Sequence, residues 1–158
     1  MDHDTVLSVL SAEILAVREF KSLLQAEQQS LVEGKVGVLA EISKAKVDQV
    51  EQLNRLAAER LRKLADQGYP PGRSGMDRWA SDTGAAAMEV WQSMLEIAAE
   101  AQRINTTNGA LIHSRLQNNQ QALSALLSAT NQASLYGPDG QRQGSLYARG
   151  NPGIIGKA

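Results

Sequence analysis

The chain contains no cysteine. That removes disulfides and thiol nucleophiles and leaves the redox compartment open. Histidine is nearly absent too, with only His3 and His113. His113 has no cysteine or second histidine at ligand spacing and His3 is terminal, so no metal site is expected. Proline and aromatic residues are scarce and β-branched runs are missing, which argues against a sheet protein. The formal net charge is −1, giving no general attraction to nucleic acid or anionic lipid. No uninterrupted apolar run approaches the ~20 residues that span a bilayer, so no membrane insertion is expected. The opening MDHDTVLSVLSAEILAVREF lacks the basic region and cleavage site of a secretory signal, which favours a cytoplasmic location.

Catalytic constellations are equally thin. Gly72-Arg73-Ser74-Gly75 has no strand before it and cannot be a nucleophile elbow. Gly156-Lys157 resembles the end of a phosphate loop but lacks the upstream glycine. The carboxylates fall mostly on charged helix faces beside basic residues, as on a solvated surface. No enzyme activity and no cofactor are expected.

What remains is helical periodicity. From Asp4 to Glu33, Leu7, Leu10, Ile14, Val17, Phe20, Leu24 and Leu31 recur at steps of three and four, the pattern of an amphipathic helix. Asp2 or Asp4 can cap its start, and Gly34 with Gly37 marks a turn. A second segment, 38–67, carries Leu39, Ile42, Val50, Leu53, Ala57, Leu61 and Leu64. Its outer face pairs Glu51 with Arg55 and Glu59 with Lys63 in the favourable i, i+4 order. Gly68 and Pro70-Pro71 end it. Residues 68–84 read as a connecting loop in which Met76 to Ser81 can make a short turn of helix that docks Trp79. Asp82 or Thr83 can cap the next long helix.

The third segment, 85–134, repeats Val90, Ile97, Ile104 and Leu111 every seventh residue, with Met94, Ala101 and Asn108 between them. Leu116, Leu123, Leu126 and Leu127 continue the stripe. Asn108-Gly109 is ordinarily a turn signal, but the apolar phase survives it, so a continuous helix of roughly 70 Å is expected. The first two helices reach only roughly 45 Å, so the third should overhang the hairpin they make. Asn105 and Asn108 lie at or beside the stripe. They are either register-setting amides inside the bundle or a sign that the helix has already left it.

Between Ile104 and Tyr136 the only permanent charge is Arg115. Asn, Gln, Ser, Thr and Ala fill the positions between leucines. A charge-poor, amide-rich face beside a leucine ridge suits another helix better than water. It marks a helix-binding or self-association face, and a homodimer is one form the latter takes. Residues 137–158 are Gly-rich and cannot bury enough apolar surface to fold alone, so a flexible tail is expected after a helical domain of 1–136.

Asn108-Gly109 leading into Leu111-Ile112, a Gln-rich leucine helix, and then Leu135-Tyr136-Gly137-Pro138-Asp139-Gly140-Gln141 resembles the C-terminal half of FlgN-type flagellar export chaperones. The helix spacing agrees over about 135 residues, and the specific part is Asn105 to Gln141. The resemblance implies an all-α antiparallel three-helix bundle with a long third helix and a flexible C-terminal tail. It implies a cytoplasmic protein that holds hook–filament junction proteins of the FlgK/FlgL class, prevents premature polymerisation and delivers them to the flagellar type III export gate. Carried over by residue, the substrate face is Leu116, Asn119, Gln120, Leu123, Leu126 and Leu127, with Tyr136 as the export-gate contact. The competing expectation is a structural helical subunit or coiled-coil adaptor of the flagellar apparatus.

Overall fold

A computed structural model describes the backbone of residues 3–134 and the side chains of 6–129. Tyr136, the candidate N-caps Asp2 and Asp4, and the tail 137–158 lie outside those described side chains. Four helices follow one another: α1 (His3–Glu33), α2 (Val36–Asp66), α3 (Arg73–Thr83) and α4 (Ala85–Ser134). The fold is all-α, and no strand occurs among the described residues. The chain divides into two units, Met1–His113 and Ser114–Ala158.

In the first unit α1 and α2 form an antiparallel hairpin. The turn is tighter than the two glycines suggest. Gly34, at φ 75°, takes the left-handed position after α1, and the Lys35 amide donates to the Ser30 carbonyl at 3.0 Å. Gly37 is already inside α2. At the far end the amides of Gly68 and Tyr69 donate to Ala65 and Leu64, the two bonds of a Schellman motif, with Gly68 at φ 83°.

The connection expected to be a loop holds the eleven-residue helix α3. Its apolar residues are few, but Met76, Trp79 and Ala80 fall on one face and all are fully buried. They join Val6 and Leu10 of α1, Leu64 of α2, and Ala87 and Trp91 of α4 in one core cluster. Gly75 makes this approach feasible, since a Cβ there would sit 1.7 Å from the Pro70 carbonyl oxygen. Asp82 accepts a hydrogen bond from the Tyr69 hydroxyl at 3.0 Å, closing the connection on itself.

A second cluster of Val17, Leu24 and Ala101, flanked by Phe20, Leu53, Ile97 and Ile104, continues the core along α1 and α4. The seven-residue repeat is thus the packing seam of α4. Val50, placed in the stripe of α2 by its spacing, is 40% exposed instead.

Two polar layers cross this core. In one, the Arg60 Nε donates to Glu13 Oε2 at 2.6 Å, and its guanidinium stands 5.7 Å from the centroid of Trp91. The Trp91 Nε1 donates to Asp77 at 2.7 Å. That chain of contacts touches all four helices. In the other, the Asn108 amide donates to the Leu24 carbonyl at 2.8 Å and to Glu27 at 2.9 Å, while Lys46 of α2 donates to both Glu27 oxygens. Asn108 is fully buried, and the helix runs unbroken through Asn108-Gly109. Of the two readings of this residue, the register-setting amide is the one that holds. Asn105 is exposed. Glu13 and Glu27, at 2% and 3% exposure, depart from the expectation of solvated carboxylates. These ties, with the Lys21–Glu100 ion pair, run α1 and the first part of α4 parallel, both antiparallel to α2.

Two glycines give opposite expectations. Gly75→Ala drives a methyl into backbone and should cost about 1–3 kcal/mol or more. Gly109→Ala meets nothing within 4 Å inside a helix and should stabilise by about 0.5–1 kcal/mol. Chemical denaturation of both variants checks the pair. A second expectation concerns Glu13, whose carboxyl is pushed above the ordinary 4.5 by burial, with Arg60 opposing. The fold then binds this proton more tightly than the unfolded chain, so stability falls as pH rises from about 4.5 through the raised value. Glu13→Gln should flatten that part of the stability profile. Arg60→Met, which strands the buried carboxylate, should cost about 3 kcal/mol at neutral pH.

Candidate functional site

The residues singled out on the third segment belong to the second unit and to α4. Leu116, Leu123, Leu126 and Leu127 are 56, 59, 64 and 62% exposed. Asn119 and Gln120 are exposed as well. At 3.6 residues per turn all six fall within an arc of about 120°, so the helix gathers them on one face. Tyr136 lies beyond the described residues, and so does its place relative to this face.

Leucine at these positions has an ordinary explanation, core packing, and the exposures exclude it. Every described side chain from Leu116 to Ala129 is exposed. The helix needs no core to form here. Ala, Leu and Gln dominate the segment, and all three are good helix formers. Ser and Asn weaken it modestly, and no proline or internal glycine interrupts it.

The electrostatics of the face are set by absence. From Leu116 to Tyr136 there is no charged side chain. The chemistry this allows is docking by apolar burial with hydrogen-bonding amides around it. Fully burying a leucine contributes roughly 1.5–3 kcal/mol; these are already partly covered by their own helix, so each offers roughly 1–2. Four of them bring a total comparable to the lower estimates for the cost of association, ~4–15 kcal/mol. A helix docked on such a face would therefore be held reversibly.

Among the described residues no three His, Asp or Glu side chains group as a metal ion would require, and no helix is long and apolar enough to cross a membrane. The perturbed carboxyls have structural causes. Lys21 holds Glu100 below the usual carboxylate range by hydrogen bond and charge, and Lys35 with Gln29 does the same to Glu33. Neither lies near the leucine face in sequence.

A model of the FlgN protein family matches residues 1–144. The chain belongs to the FlgN family. The flagella synthesis protein FlgN of Yersinia enterocolitica is 30% identical to this FlgN-family chain over 143 residues, covering 89% of it and 91% of the relative. The protein of the same description from Salmonella typhimurium is 28% identical over 137 residues, covering 84% and 86%. A crystal structure assigned to a flagella synthesis protein FlgN of Pseudomonas aeruginosa superposes with a TM-score of 0.64 at 25% identity, covering 82% of this chain and 98% of that one.

Sequence reasoning missed the polar layers of the FlgN-family fold. The signal was available: Glu13 and Glu27 each stand three residues after a core leucine, Leu10 and Leu24, and so on the core face. The leucine face yields its own expectation. Leu123→Ala combined with Leu127→Ala should shift folding stability by no more than about 0.5 kcal/mol per site. A loss of about 2–5 kcal/mol per site is what core leucines would give, and thermal denaturation distinguishes the two.

Proposed function

We propose that this FlgN-family chain serves flagellum assembly as an export chaperone. It holds hook–filament junction proteins of the FlgK/FlgL class in the cytoplasm and brings them, still unpolymerised, to the flagellar type III export gate. The observation that carries the reading is the exposed, charge-free leucine face of α4. A junction protein that polymerises through amphipathic terminal helices needs a substitute apolar face until it is exported. Leu116, Leu123, Leu126 and Leu127 supply one, and Asn119 and Gln120 supply hydrogen-bonding groups that adapt to more than one partner surface. Absence of charge suits a partner helix whose own flanks are polar but neutral, since no unpaired ion is then buried.

Tyr136 is assigned the second half of the task. It follows the leucine helix and precedes Gly137-Pro138. A tyrosine offers a large apolar area with few rotatable bonds and a hydroxyl for orientation, which fits a contact with the gate. The alternative is a structural helical subunit of the flagellar apparatus. That role calls for polymerising helices at both ends, and α1 has ordinary charge content, with Glu13, Arg18, Glu19, Lys21, Glu27 and Glu33. A subunit would grow into large assemblies over a concentration series in size-exclusion chromatography.

Binding of a purified FlgK-class protein, followed by isothermal titration, tests the first half. Leu123→Ala with Leu127→Ala should abolish it while the fold persists. Tyr136→Ala tests the second half. It should retain cargo in solution but lower cargo secretion from motile cells. Secretion at the parental rate removes Tyr136 as the gate contact. Loss of cargo binding moves it into the substrate face.

A further inference from the structure

The first unit carries a surface that the chaperone reading does not use. A shallow groove of about 420 Å3 runs between α1 and the first part of α4. Ile14 and Val90 line it, one buried and one half-buried, and Ser11 and Ser93 stand beside them. Leu15 also lines it and is 60% exposed. This is out of keeping with the rest of α1, whose leucines at 7, 10, 23, 24 and 31 are buried or half-buried. A leucine one position off the core stripe gains nothing for the fold by being apolar.

The walls of the groove carry opposite charges. Arg18 comes from α1 and Glu89 from α4. Both are exposed, and neither takes part in an ion pair among the described residues. Other charged side chains of this unit do find partners across helices: Lys21 meets Glu100, Lys46 meets Glu27 and Arg60 meets Glu13.

We infer that this groove is the centre of a two-fold interface between two copies of the chain. A two-fold axis brings a patch against itself, so the patch must be self-complementary. A patch of one sign fails that condition, because like charges meet across the axis. A patch with one free cation and one free anion on opposite walls meets it. Arg18 of each copy faces the partner's Glu89, and the reverse pair forms at the same time. The same operation lays Leu15 of each copy into the partner's groove over Ile14 and Val90. The pairing is exposed at the rim and sets register and partner choice more than affinity. The groove's seven lining residues are few beside the roughly 20–30 residues a side of a standard interface, so the contact must extend along α1 and α4, and a weak dimer is expected. Such a dimer uses residues of the first unit only. Self-association through the leucine face of α4 would instead compete with cargo.

Sedimentation equilibrium of the full chain, from low micromolar to near-millimolar concentration, tests this. A reversible monomer–dimer equilibrium is expected. Leu15→Asp and Arg18→Glu should each weaken it at least tenfold, with circular dichroism unchanged because both side chains are exposed. The exchanged pair, Arg18→Glu with Glu89→Arg, should restore it, an outcome a misfolded single variant cannot produce. Leu123→Ala with Leu127→Ala should leave the dimer intact. A monomer at every concentration overturns the inference. So does a dimer indifferent to Leu15→Asp, a charge exchange that restores nothing, or a dimer lost with the α4 leucines. The last result would place self-association on the cargo face without touching the cargo reading itself.

Discussion

The hold of Asn108 on α1 fixes where α4 stands. An amide buried without partners costs about 1–3 kcal/mol, and Asn108 is fully buried. Its two hydrogens reach the Leu24 carbonyl and Glu27, while Glu27 is also held by Lys46. Ala101 and Met94 stand one and two heptads earlier in the same column of the seam, and Arg115 follows one heptad later. Displacing α4 along its axis by a heptad would set Ala101 or Arg115 where Asn108 now stands. Alanine offers no donors there, and arginine would bring a second cation beside Lys46. Only this register gives the Leu24 carbonyl and Glu27 their amide donor, with the Asn108 Oδ1 left without a partner among the described residues, and it sets the alignment as a polar residue does in a coiled-coil seam. The second pin is Trp91, held between Arg60 and Asp77.

Those two layers explain why charged residues appear in the core of a protein that has apolar residues to spare. Replacing a buried ion pair with packed hydrocarbon is often neutral or stabilising, so the pairs Glu13–Arg60 and Glu27–Lys46 are weak arguments for stability. They do discriminate between alignments of three long helices whose leucine stripes would otherwise interdigitate in more than one way. Stripes repeating every three or four residues define a face well and an axial position poorly. The polar layers supply the axial position.

Much of this was legible in the chain. The stripes of α1 and α2, the ends at Gly34 and Gly68, and a helix continuous through Asn108-Gly109 follow from periodicity and turn chemistry. So does the exposure of the leucines from 116 to 127, because a helix of fifty residues is longer than either of two helices of thirty-one. α3 was only half legible. Its sequence RSGMDRWASDT is polar and short, with Gly75 inside it, and local propensity argues against a helix. Burial of Met76, Trp79 and Ala80 overrides that, and the space for it exists because Gly75 lacks a side chain against Pro70. The groove at Leu15 was hidden because the residues that make it come from helices far apart in sequence.

The contrast between the two halves of α4 is finally one of what each face must tolerate. In the first unit the seam meets a fixed partner, and fixed partners reward specific ion pairs and amide bonds at set distances. Beyond Arg115 no charge appears through Tyr136. A charged flank would be solvated and harmless while the face stays open. Once covered, each unpaired ion would carry a desolvation penalty of several kcal/mol, more than a partly exposed leucine returns at roughly 1–2. On the proposed chaperone role, a face covered by one partner after another, and uncovered again, would do better with amides. An amide loses less on burial and can turn to bond whatever polar group arrives. In that role the leucines would set the strength, the amides would limit the cost of mismatch, and the neutral flank would keep the exchange reversible and largely indifferent to salt.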